Sequence, residues 1–90
     1  MNAEGRKAIQ NIISEIEELK ERLSDIISSI EDITSEEQEK VDNTPENLQN
    51  SDRYYAMQEA VSNLESASSS LEDMDSTLDD VVNSLEMASE

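Results

Sequence analysis

The sequence predicts an all-α protein, a helical hairpin of two long antiparallel helices that pairs with a second copy into a dimeric four-helix bundle. Three observations predict it. Leucine or methionine recurs every seventh residue at Met57, Leu64, Leu71, Leu78 and Leu85, with Ala60, Ala67, Met74, Val81 and Ala88 at alternating three- and four-residue steps. A second unbroken stripe, Ile9, Ile12, Ile16, Leu19, Leu23, Ile26, Ile30 and Ile33, follows the same alternation through the first half. Such spacing keeps one helix face apolar over many turns, as in helices that pack along their length. Between the stripes lies the only concentration of helix-breaking residues, Val41 to Ser51.

The first helix is expected over about residues 3–40. Asn2 can cap it, Glu4 places an acid in its first turn, and nothing from Arg6 to Lys40 would stop it. Gly5 sits near the end, where it costs little. The loop is expected over about 41–51. Pro45 disfavours helix at Thr44 but suits the first position of a new turn, so Thr44 is expected to cap a short turn through Pro45, Glu46 and Asn47. Leu48 is expected to fold back and plug the end of the core. Asn50 or Ser51 then caps a second helix over about 52–89, with Asp52 near its positive end. Each helix of some 37 residues reaches roughly 55 Å, and a ten-residue loop permits an antiparallel return.

Further apolar residues widen both stripes, Ile13 and Ile27 on the first helix and Tyr54, Val61 and Val82 on the second. An isolated hairpin would leave them half exposed. Ile13, Ile27, Val61 and Val82 are therefore the expected self-association surface of a homodimer or higher oligomer, because closed symmetric assembly hides such an edge.

Composition narrows the function. With 23 acids, 6 bases and no histidine the 90-residue chain carries a net charge of −17. A surface of that sign repels nucleic acid and anionic membranes, since binding phosphate backbones depends on lysine and arginine replacing counterions. The expected partner is a basic protein, with no direct nucleic-acid binding and no membrane. There is no cysteine, and no apolar run approaches the ~20 residues of a membrane span. The expected location is the cytoplasm.

No catalytic residues, metal ligands or cofactors are expected. Asp73, Asp75, Asp79 and Asp80 crowd together, but Met74, Leu78 and Val81 run through them as helix seam, whereas a calcium loop needs a non-helical turn. Ser66, Ser68, Ser69 and Ser70 lie on an acidic helix with no histidine to activate them. The expectation is a protein that is not an enzyme.

Two sets of residues are candidates for partner binding. Glu65, Glu72, Asp79 and Glu86 stand at strict seven-residue spacing, and Glu15, Glu18, Glu21, Asp25, Asp32, Glu36 and Glu39 populate the first helix. Rows of acid on a rigid rod can imitate nucleic-acid phosphates toward a basic cleft, although a solvated helix face is usually charged for solubility alone. The second set is Arg53, Tyr54 and Tyr55, the only base of the second half beside the only aromatics. Arginine with stacking aromatics can receive a nucleotide or a protein anchor; equally, a tyrosine can close the core while Arg53 pairs with Asp42 or Glu39.

The segment Asp42-Asn43-Thr44-Pro45-Glu46-Asn47-Leu48-Gln49-Asn50-Ser51, followed by Arg53-Tyr54 and the repeating Leu/Ala helix, resembles small acidic helical-hairpin accessory proteins of phages and prophages of Gram-positive bacteria. The likeness covers about residues 36–90 and is more specific in the loop than in the helices. It implies a mobile-element origin, a bacterial host cytoplasm, and an anti-defence or anti-CRISPR-like inhibitor that occupies or sequesters its target, such as a defence nuclease or effector. It carries over no site residues. The alternatives are a scaffolding coiled coil without inhibitory role, and a nucleotide-sequestering protein using the Arg53/Tyr54/Tyr55 cluster.

Seventeen net charges on so small a chain repel one another most in low salt. The melting temperature is therefore expected to rise with sodium chloride concentration. A flat or falling curve would mean that specific ion pairs outweigh the repulsion.

Overall fold

The computed structural model describes all residues 1–90: helix α1 spans Ala3–Asp42, a 3-10 turn covers Glu46–Leu48, and helix α2 spans Asp52–Ala88. The helices run antiparallel. The Arg6 side-chain Nε donates to the Ser89 carbonyl at 3.1 Å, and Lys20 reaches Asp79 and, at 3.8 Å, Asp75. The product is a rod of 70 × 16 × 13 Å, with a radius of gyration of 20.3 Å where a compact domain of this length would have about 12 Å. Its accessible surface is 6636 Å², against about 5,300 Å² for a compact monomer of the same mass.

The helix ends follow local chemistry. The Asn2 side chain accepts from the Gly5 N–H at 2.8 Å, and of the two candidate caps for α2 it is Ser51 whose hydroxyl accepts from Tyr54 N–H at 3.1 Å. Two expectations for the loop are corrected. Thr44 does not cap the following turn; its hydroxyl donates to the Lys40 carbonyl at 2.7 Å and so finishes α1. Leu48 does not plug the core and is 50% exposed. The Ser51 hydroxyl and amide both bond the Leu48 carbonyl, which ties that backbone down while leaving its side chain outside.

In heptad terms, the half-buried and buried positions on α1 are Ile13, Lys20, Ile27, Thr34 and Val41 at a, and Ile9, Ile16, Leu23, Ile30 and Glu37 at d, with Gly5 at g and Gln38 at e besides. On α2 and its C-cap they are Tyr54, Val61, Ser68, Asp75, Val82 and Ser89 at a, and Met57, Leu64, Leu71, Leu78 and Leu85 at d, with Ala60 the one half-buried residue at g. Half of each expected seam is thus correct, the d rows. The other half is not: Ile12, Leu19, Ile26 and Ile33 on α1, with Met74 and Val81 on α2, stand at g and remain 40–53% exposed.

Each helix carries three adjacent apolar rows, g, d and a, with d in the middle. Two helices in contact cover the middle row and one flank, and here the flank is a. This corrects the expected self-association surface as well. Ile13 is 3% exposed and Val61 is buried, with Ile27 and Val82 half-buried in the same seam, so all four are engaged inside the hairpin.

Only Ile13, Leu23, Val41 and Val61 are buried, none of them completely, so the core is thin. One flaw lies within it: the Ser68 hydroxyl is shielded from solvent without a hydrogen-bond partner. Two substitutions probe these points. Leu23→Ala removes a buried side chain and is expected to cost about 2–4 kcal/mol, while Ser68→Ala removes an unsatisfied hydroxyl and is expected to stabilise by about 1 kcal/mol. Urea unfolding followed by circular dichroism reads both; destabilisation by Ser68→Ala would show that the hydroxyl finds a partner in solution.

Candidate binding faces

In an antiparallel helix pair the e rows of both helices share one side of the seam and the g rows share the other. The surface grooves bear this out. On one side, Glu31 and Glu72 line a groove, Glu31 and Glu65 the next, and Gln38, Gln58 and Glu65 a third, all five residues standing at e positions. On the opposite side Lys40 and Arg53, both g, line one cleft at the loop end. The rod therefore has an acidic edge and an apolar edge.

The acidic edge contains the α2 half of the predicted rows; the α1 acids Glu15, Glu18, Glu21, Asp25, Asp32, Glu36 and Glu39 stand at b, c and f, off this edge. Glu65, Glu72, Asp79 and Glu86 all occupy e on α2, facing Glu17 and Glu31 at e on α1. Every acid within α2 sits at a, e or f, and its c and g rows carry none. The row is not uniform, because Asp79 pairs with Lys20. Seventeen net charges over 70 Å amount to one per about 4 Å. Duplex DNA carries one per about 1.7 Å and a single strand one per about 3.4 Å, so the rod as a whole approaches a single strand, while the e row of α2 taken alone carries one carboxylate per about 10.5 Å. The acids are not gathered into any group of three that could hold a metal ion, and neither helix is long and apolar enough to cross a membrane.

Lys20 is the residue that seam reading missed. It interrupts the a row of α1 with a charge, as Asp75 interrupts the a row of α2, and this matched pair of breaks was the available signal. Its ammonium is satisfied by two carboxylates of the other helix, and the Asp75 contact selects the register, since sliding α2 by a heptad would set Ser68 or Val82 in its place while Glu72 or Glu86 replaced Asp79. The Asp79 carboxylate accepting its hydrogen bond, helped by the charge of Asp75 against some loss of hydration, holds Lys20 above the ordinary 10.5.

The loop-end cluster is assembled in part. Arg53, Tyr54 and Lys40 line a cleft of about 770 Å³ together with Pro45, Leu48 and Met57, but Glu36 and Glu39 line it too. Two bases and two acids leave the cleft without net positive charge. Tyr55 lies outside, 53% exposed, with its hydroxyl 3.4 Å from the Asn50 side chain and its ring edge-on to Tyr54. Tyr54 is half-buried and accepts from Gln58 at 3.2 Å, so it does close that end of the seam. Arg53 pairs with neither Asp42 nor Glu39; Lys40 is 3.8 Å from Glu37.

Comparison with known protein families, with curated proteins and with solved structures gives no match. The functional reading therefore rests on the faces themselves.

The Lys20 pair predicts a specific pH response. A lysine whose folded value is raised contributes stability that is complete below the unfolded value of 10.5 and is lost as pH climbs through the higher folded value. Comparing thermal melts with Lys20→Met, which keeps every other titrating group, the difference between the two proteins is expected to be level at neutral pH. Above about 10.5 the wild type should lose ground to the variant. A difference that stays constant through that range would show that Lys20 releases no linked proton.

Proposed function

We propose that this chain is a non-catalytic protein-binding module that works as a pair of hairpins, joined through their apolar edges and presenting their acidic edges to a basic partner. The observation that carries the reading is the segregation of charge. A coiled coil made only for solubility has no need to keep its acids off one edge, yet along its whole length α2 holds them at a, e and f and has none at c or g.

Magnitudes favour the pairing. Six half-exposed side chains at g leave on the order of 500 Å² of apolar surface per copy in water, the upper range for a monomer. Burying that on two copies supplies roughly 25 kcal/mol at 25 cal/mol per Å². The association cost is about 4–15 kcal/mol.

The acidic edge then does the outward work. Its row of carboxylates suits a basic cleft, and attraction of that kind speeds encounter and excludes acidic competitors. The resemblance to phage and prophage hairpins supplies the class of partner, a basic nuclease or effector of a host defence system that the acidic edge would occupy. The alternative is a scaffolding hairpin whose only partner is itself.

Reversing Glu65, Glu72 and Glu86 to lysine tests this without touching Asp79, which the fold uses. With wild-type protein as bait in bacterial lysate, a stoichiometric basic protein is expected, released as salt rises and absent with the reversed variant. Recovery of the bait's own copies alone would support the scaffolding reading.

A further inference from the structure

We infer that the second copy lies head to tail on the apolar edge, so that the loop end of one hairpin closes against the terminal end of the other. The inference rests on the pairing proposed above and adds its geometry. A two-fold axis that joins g face to g face runs either along the rod, setting the loop ends together, or across it, setting loop end against termini. Both keep neighbouring helices antiparallel, so helix packing alone does not choose.

Three observations choose. The g row of α1 reads Gly5, Ile12, Leu19, Ile26, Ile33, Lys40. An axis crossing the rod midway between Leu19 and Ile26 lays Leu19 on Ile26 of the second copy, Ile12 on Ile33, and Gly5 on Lys40. The four large apolar residues meet only one another, and the one lysine of the row comes over Gly5, across which the Met1 side chain lies.

Charge agrees with this register. Lys40 and Arg53 are two of the chain's six bases, and both stand on the g rows at the loop end. Loop ends set together would gather four cations on the g rows around the axis, with Glu36 and Glu39 set back at c and f, and like charges that meet first at an interface oppose association. Head to tail, each pair faces an end whose g positions are Gly5 and Ala88.

Shape agrees as well. The loop end is concave on this side, its cleft walled by Leu48, Tyr54 and Met57. The terminal end is convex, because the Met1 side chain lies across Gly5, close enough that a Cβ there would stand 2.7 Å from it. Two clefts face to face enclose a void; a cleft against the Met1 ridge is filled. The six exposed g side chains leave on the order of 500 Å² of apolar surface per copy, a large share of the roughly 800 Å² that a standard interface buries per partner.

The chain has no cysteine, so single cysteines report contacts directly. Light scattering on wild type is expected to give twice 10.1 kDa, and Ile26→Glu is expected to give 10.1 kDa with unchanged helical circular dichroism, because g lies outside the hairpin's own seam. Under mild oxidation, a mixture of Ile12→Cys and Ile33→Cys proteins is expected to form the mixed disulfide, whereas Ile12→Cys mixed with Ala88→Cys is not. A mixed disulfide from the second mixture alone would overturn the head-to-tail arrangement and leave the pairing intact. A wild-type mass of 10.1 kDa would overturn pairing and arrangement together, while the charge-reversal test of the acidic edge stands apart from both.

Discussion

Two cylinders in contact touch along a line, and the side chains that line can shelter form a strip about two heptad rows wide on each helix. This chain places three apolar rows side by side on both helices, with d in the centre. The central row is buried whichever way the helices roll; the flanks compete. The a flank is the mixed one, with Lys20, Thr34, Ser68, Asp75 and Ser89 among its apolar members. A two-helix seam stays close to water on both sides and tolerates such residues, since a lysine there reaches Asp75 and Asp79 without being stranded. The wholly apolar stretch of the g flank is thereby left outside.

Most other features follow from that choice of flank. The e rows fall on the opposite edge from g, so the acids of α2 are gathered where two helices meet water together. The exposed g rows, a surface larger than the mass requires, and a core of only four buried residues are the same fact seen three ways. A fold this thin gains little from hydrophobic burial within one chain, which gives the edge-to-edge pairing its thermodynamic reason.

The loop does more than reverse the chain. Thr44 ends α1 and Ser51 starts α2 through their hydroxyls, and the 3-10 turn between them, closed by the Pro45 and Glu46 carbonyls, is tied to Ser51 through the Leu48 carbonyl. Because these bonds are local, the loop keeps its shape without core contacts, and Leu48 stays free to wall a cleft beside Lys40 and Arg53. The cluster around Arg53 thus marks one end of the apolar edge.

The sequence by itself determined the helices, their caps at Asn2 and Ser51, and the place of the turn, because hydrophobic period, side-chain oxygens and proline act over a few residues. It also determined that Glu65, Glu72, Asp79 and Glu86 share one face, since seven residues make two helical turns. It could not determine which flank of d turns inward. A row of isoleucines reads as core from periodicity, and Ile12, Leu19, Ile26 and Ile33 are as regular as any buried row. Only the tertiary structure decided that, by setting Lys20 against Asp75 and Asp79 across the seam, and with that one rotation it decided which edge is apolar, which is acidic, and that Tyr55 stands apart from Arg53 and Tyr54. Side-chain pattern specifies a helix face to within a row or two; the contact between two helices, where a matched charge pair must meet, specifies the row.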